Sequence, residues 1–233
     1  MTIRALLFDF DGLTVDTETL WYEAFVELYR DHGQELSLEQ YAQCIGTTFA
    51  SFDPYQELMN RGVDRSREEL KRMVDAIYTN KTGQLELRPG VRAYLDEAKS
   101  LGLRIAIVSS SERAWIDPYI RRFELDGYYD LIMTGDKVEH VKPDPALYLK
   151  ALNELQINAD EAIAFEDSLN GLKAAKQAGI RCIVVPNPAT RAFPFETVGY
   201  DGMLSSMAEM PIHELLEAIE ANTVLSQQRN DPA

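Results

Sequence analysis

Short apolar runs alternate with helical patterns over most of the chain. The runs are almost wholly aliphatic or aromatic at consecutive positions, which is typical of parallel strands that are buried on both faces. They are IRALLF (3–8), LRIAIV (103–108), DLIM (130–133), AIAF (162–165) and RCIVV (181–185). Between them, apolar residues recur at helical spacing in 91–102, 146–156 and 168–179. This alternation predicts an α/β fold, with a Rossmann-like parallel sheet core flanked by helices.

Residues 17–81 have a different pattern. The segment that begins TETLWYEAFVELYRDHG carries one apolar stripe at helical spacing, and three further helical patterns follow it. No convincing buried strand occurs there before the chain reaches LELRPGV. We therefore expect residues 17–81 to form an inserted helical-bundle domain. Residues 1–16 and 82–233 are then expected to form the α/β core domain.

Composition and charge limit the classes of partner. The 233 residues are 45% hydrophobic and carry a formal net charge of −15. Nucleic acid and anionic membrane surfaces both need a basic footprint, so neither is expected as a partner. Two cysteines cannot form a disulfide framework. Because the N-terminus lacks the features of a secretory signal, we expect a cytoplasmic protein. We expect it to be a monomer or a weak dimer.

Carboxylates crowd the end of the first apolar run, in LLFDFDGLTVDTE (6–18). Asp9 and Asp11 are two residues apart, so an extended backbone points both side chains to the same side. Ser109, Lys142 and the pair Glu166–Asp167 follow later apolar runs, and ligands bind beyond the carboxyl ends of strands in open α/β sheets. If these segments converge, the carboxylates suit a hard divalent cation such as Mg²⁺. The lysine and the serine then suit an anion beside the metal, which indicates phosphoryl transfer.

Other interpretations of the same residues remain open at this point. The letters DFDG also suggest an EF-hand calcium loop, although the glycine of that loop lies later and further acids alternate after it. Glu166 and Asp167 could simply place negative charge at the start of the helix near Ser168. Ser109 and Lys142 are unremarkable residues when each is taken alone.

The segments DFDGLTVD, the strand end at Ser109, KPDP around Lys142 and FEDSLNG resemble the four motifs of the haloacid dehalogenase superfamily. The helical insert resembles the small α-helical cap of the subgroup that contains β-phosphoglucomutase and sugar-phosphate phosphatases. The resemblance implies that Asp9 is the nucleophile and that Asp11 is the general acid and base. It implies a Mg²⁺ cofactor and a phosphoryl site with the following residues. The metal ligands would be Asp9, Asp11 through its backbone carbonyl, Glu166 and Asp167, and the phosphoryl oxygens would contact Ser109, Ser110 and Lys142.

Residues of the insert and of the second motif are candidates for substrate contacts. Asp16 and Thr17 are expected to start the first cap helix, with Thr17 as a candidate helix cap or hinge. Trp21 and Phe49 belong either to the apolar core of the cap or to the substrate cleft. The remaining candidates are Gly46 in the cap and Arg113 after the second motif.

The resemblance favours a phosphatase that acts on small phosphorylated metabolites. Dehalogenase members lack the second aspartate, and Asp11 is present here. A phosphomutase, the alternative, must hold a second phosphate, but Phe49 and Glu112 take the places of its cationic contacts. Trp21 also takes the place of a mutase histidine, whereas Arg113 could compensate in part. A non-catalytic relative that binds a phosphorylated ligand is a third possibility, although none of the catalytic positions is missing.

Overall fold

The structure, a computed structural model, describes residues 2–45, 49 and 52–230, with side chains described as far as residue 221. The described residues form one sheet of six parallel strands in the order β3-β2-β1-β4-β5-β6. The strands are β1 (Ala5–Phe8), β2 (Arg104–Val108), β3 (Leu131–Met133), β4 (Ala162–Glu166), β5 (Arg181–Val184) and β6 (Gly202–Met203). The first five confirm the predicted runs. The sixth was missed because two residues are too few to show a pattern.

Helices alternate with the strands and confirm the α/β fold. They are α1 (Thr17–Asp31), α2 (Leu38–Tyr41), α3 (Pro54–Asn60), α4 (Arg67–Lys81), α5 (Val91–Ser100), α6 (Arg113–Arg122), α7 (Ala146–Leu155), α8 (Leu169–Gln177) and α9 (Ile212–Asn230). Helices α5, α7 and α8 lie where the spacing of apolar residues predicts them. Ser168 caps α8, because its hydroxyl accepts a hydrogen bond from the backbone N–H of Gly171 (3.1 Å). Among the described helices, none is both long and apolar enough to cross a membrane.

The sheet is buried on both faces, as the uniformly apolar strands require. Successive side chains of a strand point to opposite faces. In β1, Leu6 and Phe8 join the apolar cluster on one face, while Ala5 and Leu7 join the cluster on the other. Helices α7 and α8 supply much of the second cluster. Because β1 is central, the segment that follows it lies in the middle of the edge formed by the carboxyl ends of the strands.

Helices α1 to α4 all lie between β1 and α5, and α4 packs against both α1 and α3. The chain leaves the core and returns to it at neighbouring points. Val15, just before α1, forms a β-bridge with Leu87 on the returning segment, and the Arg88 N–H donates to the carbonyl of Thr14 (3.1 Å). The predicted division into core and cap domains stays a prediction.

Candidate active site

The ends of β1, β2 and β4 bring the predicted site residues to one place. Phe8 is in register with Ile107 of β2 and with Phe165 of β4, so the residues that follow these strands are neighbours. The Asp9 N–H continues the pattern and donates to the carbonyl of Phe165 (3.0 Å). The candidates Asp9, Ser109, Lys142, Glu166 and Asp167 are all buried at this edge.

Lys142 joins two of the carboxylates. Its Nζ lies 2.9 Å from Oδ1 of Asp9 and 2.7 Å from Oε1 of Glu166, and it donates a hydrogen bond to the carbonyl of Val108 (2.6 Å). Burial alone would lower the pKa of Lys142, but the charges of Asp9 and Glu166 outweigh it and raise that pKa. The Tyr148 hydroxyl donates to Glu166, and the ring of Tyr148 lies 5.2 Å from Nζ. Two carboxylates therefore stabilise the charged form of Lys142 inside the acidic cluster.

Three buried carboxylates face this one ammonium, an excess of two negative groups. Asp9, Glu166 and Asp167 each offer an oxygen within 4.8 Å of the others. Oε2 of Glu166 and Oδ1 of Asp167 are buried and have no hydrogen-bond partner among the described residues. Burial, followed by the charges of neighbouring carboxylates, raises the pKa of Asp167 well above its usual range. Burial also raises the pKa of Glu166, to about 8, although Lys142 opposes the shift.

The donor set fits a hard divalent cation. Such ions take oxygen ligands, and a buried unpartnered carboxylate oxygen is costly unless a cation or a donor binds it. Two glycines bring the backbone close to carboxylate oxygens of Asp167 and Glu166. A Cβ at Gly12, which has a φ of +80°, would lie 2.2 Å from Oδ2 of Asp167, and a Cβ at Gly171 would lie 1.7 Å from Oε2 of Glu166. Any larger residue at either position would displace a carboxylate of the cluster.

Asp11 lies beside this cluster and accepts hydrogen bonds from several side chains. Oδ1 accepts from the Thr17 hydroxyl (2.7 Å) and from the indole N–H of Trp115 (2.8 Å). Oδ2 accepts from the Ser111 hydroxyl (2.6 Å) and lies 3.5 Å from Oγ of Ser109. Burial raises the pKa of Asp11, and the charge of a nearby carboxylate adds to the shift, while the hydrogen bonds oppose it. These hydrogen bonds hold the carboxyl in one orientation.

Ser109 and Ser110 begin the loop after β2. The Ser109 side chain accepts a hydrogen bond from the Ser111 N–H (3.0 Å), which fixes its oxygen beside Asp11. The hydroxyl of Ser110 is buried without a hydrogen-bond partner among the described residues. The Ser109 hydroxyl therefore lies beside Asp11, and Ser110 has an unused donor.

The structure corrects the interpretation of Thr17 as a helix cap. Asp16 is the N-cap of α1, because its side chain accepts from the Thr19 N–H (3.1 Å). Thr17 is the first helical residue, and its hydroxyl bonds to Asp11 instead. The prediction missed this because either residue type can cap a helix, and only the folded chain shows which side chain Asp11 attracts.

A cavity of about 610 Å³ is lined by aromatic residues of α1 to α4 and by Trp115 of α6, whose indole N–H bonds to Asp11. Both Trp21 and Phe49 line it, Phe49 with 37% of its surface exposed. Trp21 stacks on Tyr78, with ring centroids 3.9 Å apart. Of the other two candidates, Gly46 lies outside the described residues. Arg113 does not line this cavity, and its guanidinium pairs with Asp117.

Sequence reasoning missed four residues that hold the carboxylates. Ser111 and Trp115 bond to Asp11, and Tyr148 bonds to Glu166. Asn187 donates from Nδ2 to Oδ2 of Asp167 (2.7 Å) and to the carbonyl of Gly12 (3.2 Å). Asn187 follows β5, so the rule that polar residues after strands meet at one edge could have found it. The aromatic residues gave no such signal, because they resemble core positions.

Comparisons with known proteins agree with this geometry. A family model described as haloacid dehalogenase-like hydrolase matches residues 6–185. A Bacillus subtilis protein named "Putative phosphatase YhcW" is 42% identical over 94% of this chain and 99% of its own. A mutant of CbbY from Rhodobacter sphaeroides, in complex with xylulose-(1,5)bisphosphate, is similar in structure, with a TM-score of 0.68, 32% identity, and coverage of 89% of this chain and 96% of that one. A Thermotoga maritima protein described as "putative beta-phosphoglucomutase" is also similar in structure, with a TM-score of 0.74 and 27% identity. The match covers 94% of this chain and 99% of that one.

Proposed function

Because the chain belongs to the haloacid dehalogenase-like hydrolase family, we propose that it is a Mg²⁺-dependent phosphatase of small phosphomonoesters, of the sugar phosphate or nucleotide type. The observation that carries the proposal is the cluster of Asp9, Glu166 and Asp167 around Lys142, with Asp11 beside it. An excess of buried carboxylates with unpartnered oxygens needs a cation, and a cation beside an ammonium binds a phosphoryl group.

Asp9 acts as the nucleophile in the proposed reaction. Its carboxylate attacks phosphorus, a bond from Asp9 to phosphorus forms, and the bond from phosphorus to the ester oxygen breaks. Asp11 gives its proton to the departing alkoxide in this step. Asp11 then takes a proton from the water that attacks phosphorus, which releases phosphate and restores Asp9. Lys142, Ser109 and Ser110 bind the phosphoryl oxygens, and Lys142 neutralises charge in the transition state.

The residues present would hold Mg²⁺ through the carboxylates of Asp9, Glu166 and Asp167 and the backbone carbonyl of Asp11. When bound, the ion would supply positive charge next to the phosphoryl group. Helices α1 to α4 would act as the cap domain, and the leaving group would occupy the aromatic cavity beneath it. The proposed setting is the cytoplasm, with a small phosphorylated metabolite as partner and a monomer or weak dimer as the assembly.

A phosphate-release assay tests this function. Sugar phosphates and nucleotides are incubated with the protein and Mg²⁺, and free phosphate is measured. We expect hydrolysis of at least one class, loss of activity with a chelator, and recovery when Mg²⁺ is restored. Asp9→Asn keeps the size of the side chain and removes the nucleophile, so it should lower kcat by about 10³-fold or more. Activity that survives this substitution would rule out Asp9 as the nucleophile.

A phosphomutase is the second candidate, favoured by the structural likeness to the Thermotoga protein. A mutase must bind a second phosphate, yet Lys71 is the one cationic residue among the described residues that line the cavity, and Glu18 and Asp75 line it too. This balance favours water as the acceptor. With β-glucose 1-phosphate and the matching bisphosphate, a mutase would yield glucose 6-phosphate, whereas a phosphatase would release free phosphate.

A further inference from the structure

Trp115 contacts the acid–base carboxyl and the cavity with different parts of one side chain. Its indole N–H donates to Oδ1 of Asp11 (2.8 Å), while its ring lines the cavity. The ring centroid lies 6.0 Å from that of Trp21 and 5.7 Å from that of Tyr78. Trp115 belongs to α6, which follows β2, whereas Trp21 and Tyr78 belong to α1 and α4. A leaving group in the cavity would therefore touch the residue that orients Asp11.

The donors around Asp11 are divided unequally between its two oxygens. Oδ1 accepts from Thr17 (2.7 Å) and Trp115 (2.8 Å), both at normal hydrogen-bond distances. Oδ2 accepts one such bond, from Ser111 (2.6 Å), and its contact with Ser109 is 3.5 Å long. A carboxylate oxygen has two lone pairs, so the two donors fill Oδ1 and leave one site on Oδ2.

We propose that Trp115 is a positioning residue for the acid–base step: together with Thr17 it fills Oδ1 of Asp11, so that the proton is carried by Oδ2, on the side of Ser109. The inference rests on the proposed function and deepens it. When the ester bond breaks, the proton moves from Oδ2 to the departing oxygen and Asp11 becomes a carboxylate. In the second step, Oδ2 takes a proton from the attacking water, and Asp11 returns to its starting form.

Trp115→Phe removes the N–H donor and keeps an aromatic ring in the cavity wall. An alkyl phosphate needs a proton on its leaving alkoxide, whereas p-nitrophenyl phosphate releases a stabilised phenolate that needs little help. We expect kcat/KM for the alkyl ester to fall about tenfold or more relative to kcat/KM for the nitrophenyl ester, because general acid catalysis contributes factors of about 10² to 10⁴. The kcat/KM ratio is the readout because hydrolysis of the phosphorylated enzyme, in which Asp11 acts as the base, is common to both esters and does not contribute to kcat/KM.

Tyr119→Phe is the matched control on the same helix. Tyr119 shares a hydrogen bond with the Tyr78 hydroxyl (2.9 Å) and packs against Trp115, so its substitution also removes one donor from this cluster of rings. It makes no hydrogen bond to Asp11, and both esters should be hydrolysed at close to the original rates. If Trp115→Phe lowers kcat/KM for the two esters equally, or lowers neither, the positioning role is overturned, because a change in packing alone would not distinguish leaving groups.

A second pair of variants addresses the same oxygen if Trp115→Phe does not fold. Thr17→Val removes the other donor to Oδ1 with little change of shape, and Thr17→Ser keeps the hydroxyl. Thr17→Val should show the same selective loss on the alkyl ester, and Thr17→Ser should not. Selective loss in both, or in neither, would count against the proposal.

The hydrogen bond itself has a spectroscopic signature that is independent of activity. The chain contains two tryptophans, so its ¹H–¹⁵N spectrum has two indole N–H signals, which Trp115→Phe assigns. Asp11→Asn should move the signal of Trp115 and leave that of Trp21 nearly in place. A Trp115 signal that does not move would overturn the contact. If Asp9→Asn remains active, the proposed function fails; if Asp9→Asn is inactive but Trp115→Phe is not selective, this inference alone fails.

Discussion

Single residues at the site have requirements that their type alone does not reveal. Gly171 lies in the first turn of α8, where alanine would ordinarily favour the helix. The side chain of Glu166 occupies the space that a Cβ would take, 1.7 Å from Oε2 and 2.1 Å from Cδ. The glycine is therefore needed for the carboxylate cluster rather than for the helix. It lowers the intrinsic stability of the helix but leaves room for the side chain of Glu166.

Gly171→Ala is expected to lower the free energy of unfolding by about 1–3 kcal/mol, as an overpacked buried site does. It should also weaken activation by Mg²⁺, because Glu166 must move away from Asp167. Thermal unfolding and the dependence of phosphate release on Mg²⁺ concentration measure the two effects. Gly83→Ala is the control, since a Cβ there has no atom within 4 Å. Equal behaviour of the two variants would contradict the assigned role of Gly171.

At the scale of elements, one arginine connects the loops that carry the site. Arg88 lies on the segment that returns from α4 to the core. Its guanidinium donates to the carbonyls of Gly12 (2.8 Å), Val185 (2.8 Å) and Pro186 (2.7 Å). The loop after β1, the end of β5 and the connection to the helical segment are thereby held together, and their backbone acceptors are satisfied without water.

Arg88→Met is expected to lower the free energy of unfolding by about 2–4 kcal/mol, because it removes the guanidinium donors from the carbonyls of Val185 and Pro186 and one of two donors from that of Gly12. Arg104→Met provides the comparison. Arg104 is exposed and pairs with Asp130 at 3.5 Å, so its loss should cost about 0–1 kcal/mol. Denaturant unfolding of both variants measures the difference. Similar losses in the two would show that Arg88 does not connect the loops as described.

At the scale of the whole molecule, the buried acids of the site link the stability of the fold to pH. Burial, followed by neighbouring charge, raises the pKa values of Asp167 and Glu166, that of Glu166 to about 8. Between the ordinary carboxyl pKa and these raised values, the folded state binds more protons than the unfolded state. The free energy of unfolding of the metal-free protein therefore falls as the pH rises through this window.

Mg²⁺ should reverse this loss, because it binds the ionised carboxylates of the folded state. Melting temperatures with chelator and with Mg²⁺, compared at about pH 5 and about pH 8, test the expectation. Stabilisation at the higher pH should reach about 2–3 kcal/mol when Mg²⁺ exceeds its Kd about 100-fold, and should be smaller at the lower pH. Asp167→Asn should reduce the effect. An equal effect of Mg²⁺ at both pH values would contradict a link between ionisation and metal binding.

The sequence determined the sheet and the acids at its edge. Strand and helix periodicity come from local backbone geometry, so apolar runs such as 103–108 and 162–165 mark their strands directly. Parallel strands end at one edge, and for this reason the residue pattern alone predicts that Asp9, Lys142 and Asp167 meet there. The strand Gly202–Met203 escaped prediction, since its two residues carry no period.

Only the tertiary structure decided which side chains hold those acids and in what orientation. Trp115 is 104 positions from Asp11, and Asn187 is 20 positions from Asp167. A hydrogen bond between distant residues depends on distances that no local pattern encodes, and tryptophan and tyrosine have the same apolar signature in a core as at a site. The chain's local patterns thus specify its elements and its charged groups, while the packing of those elements selects the partners that set their chemistry.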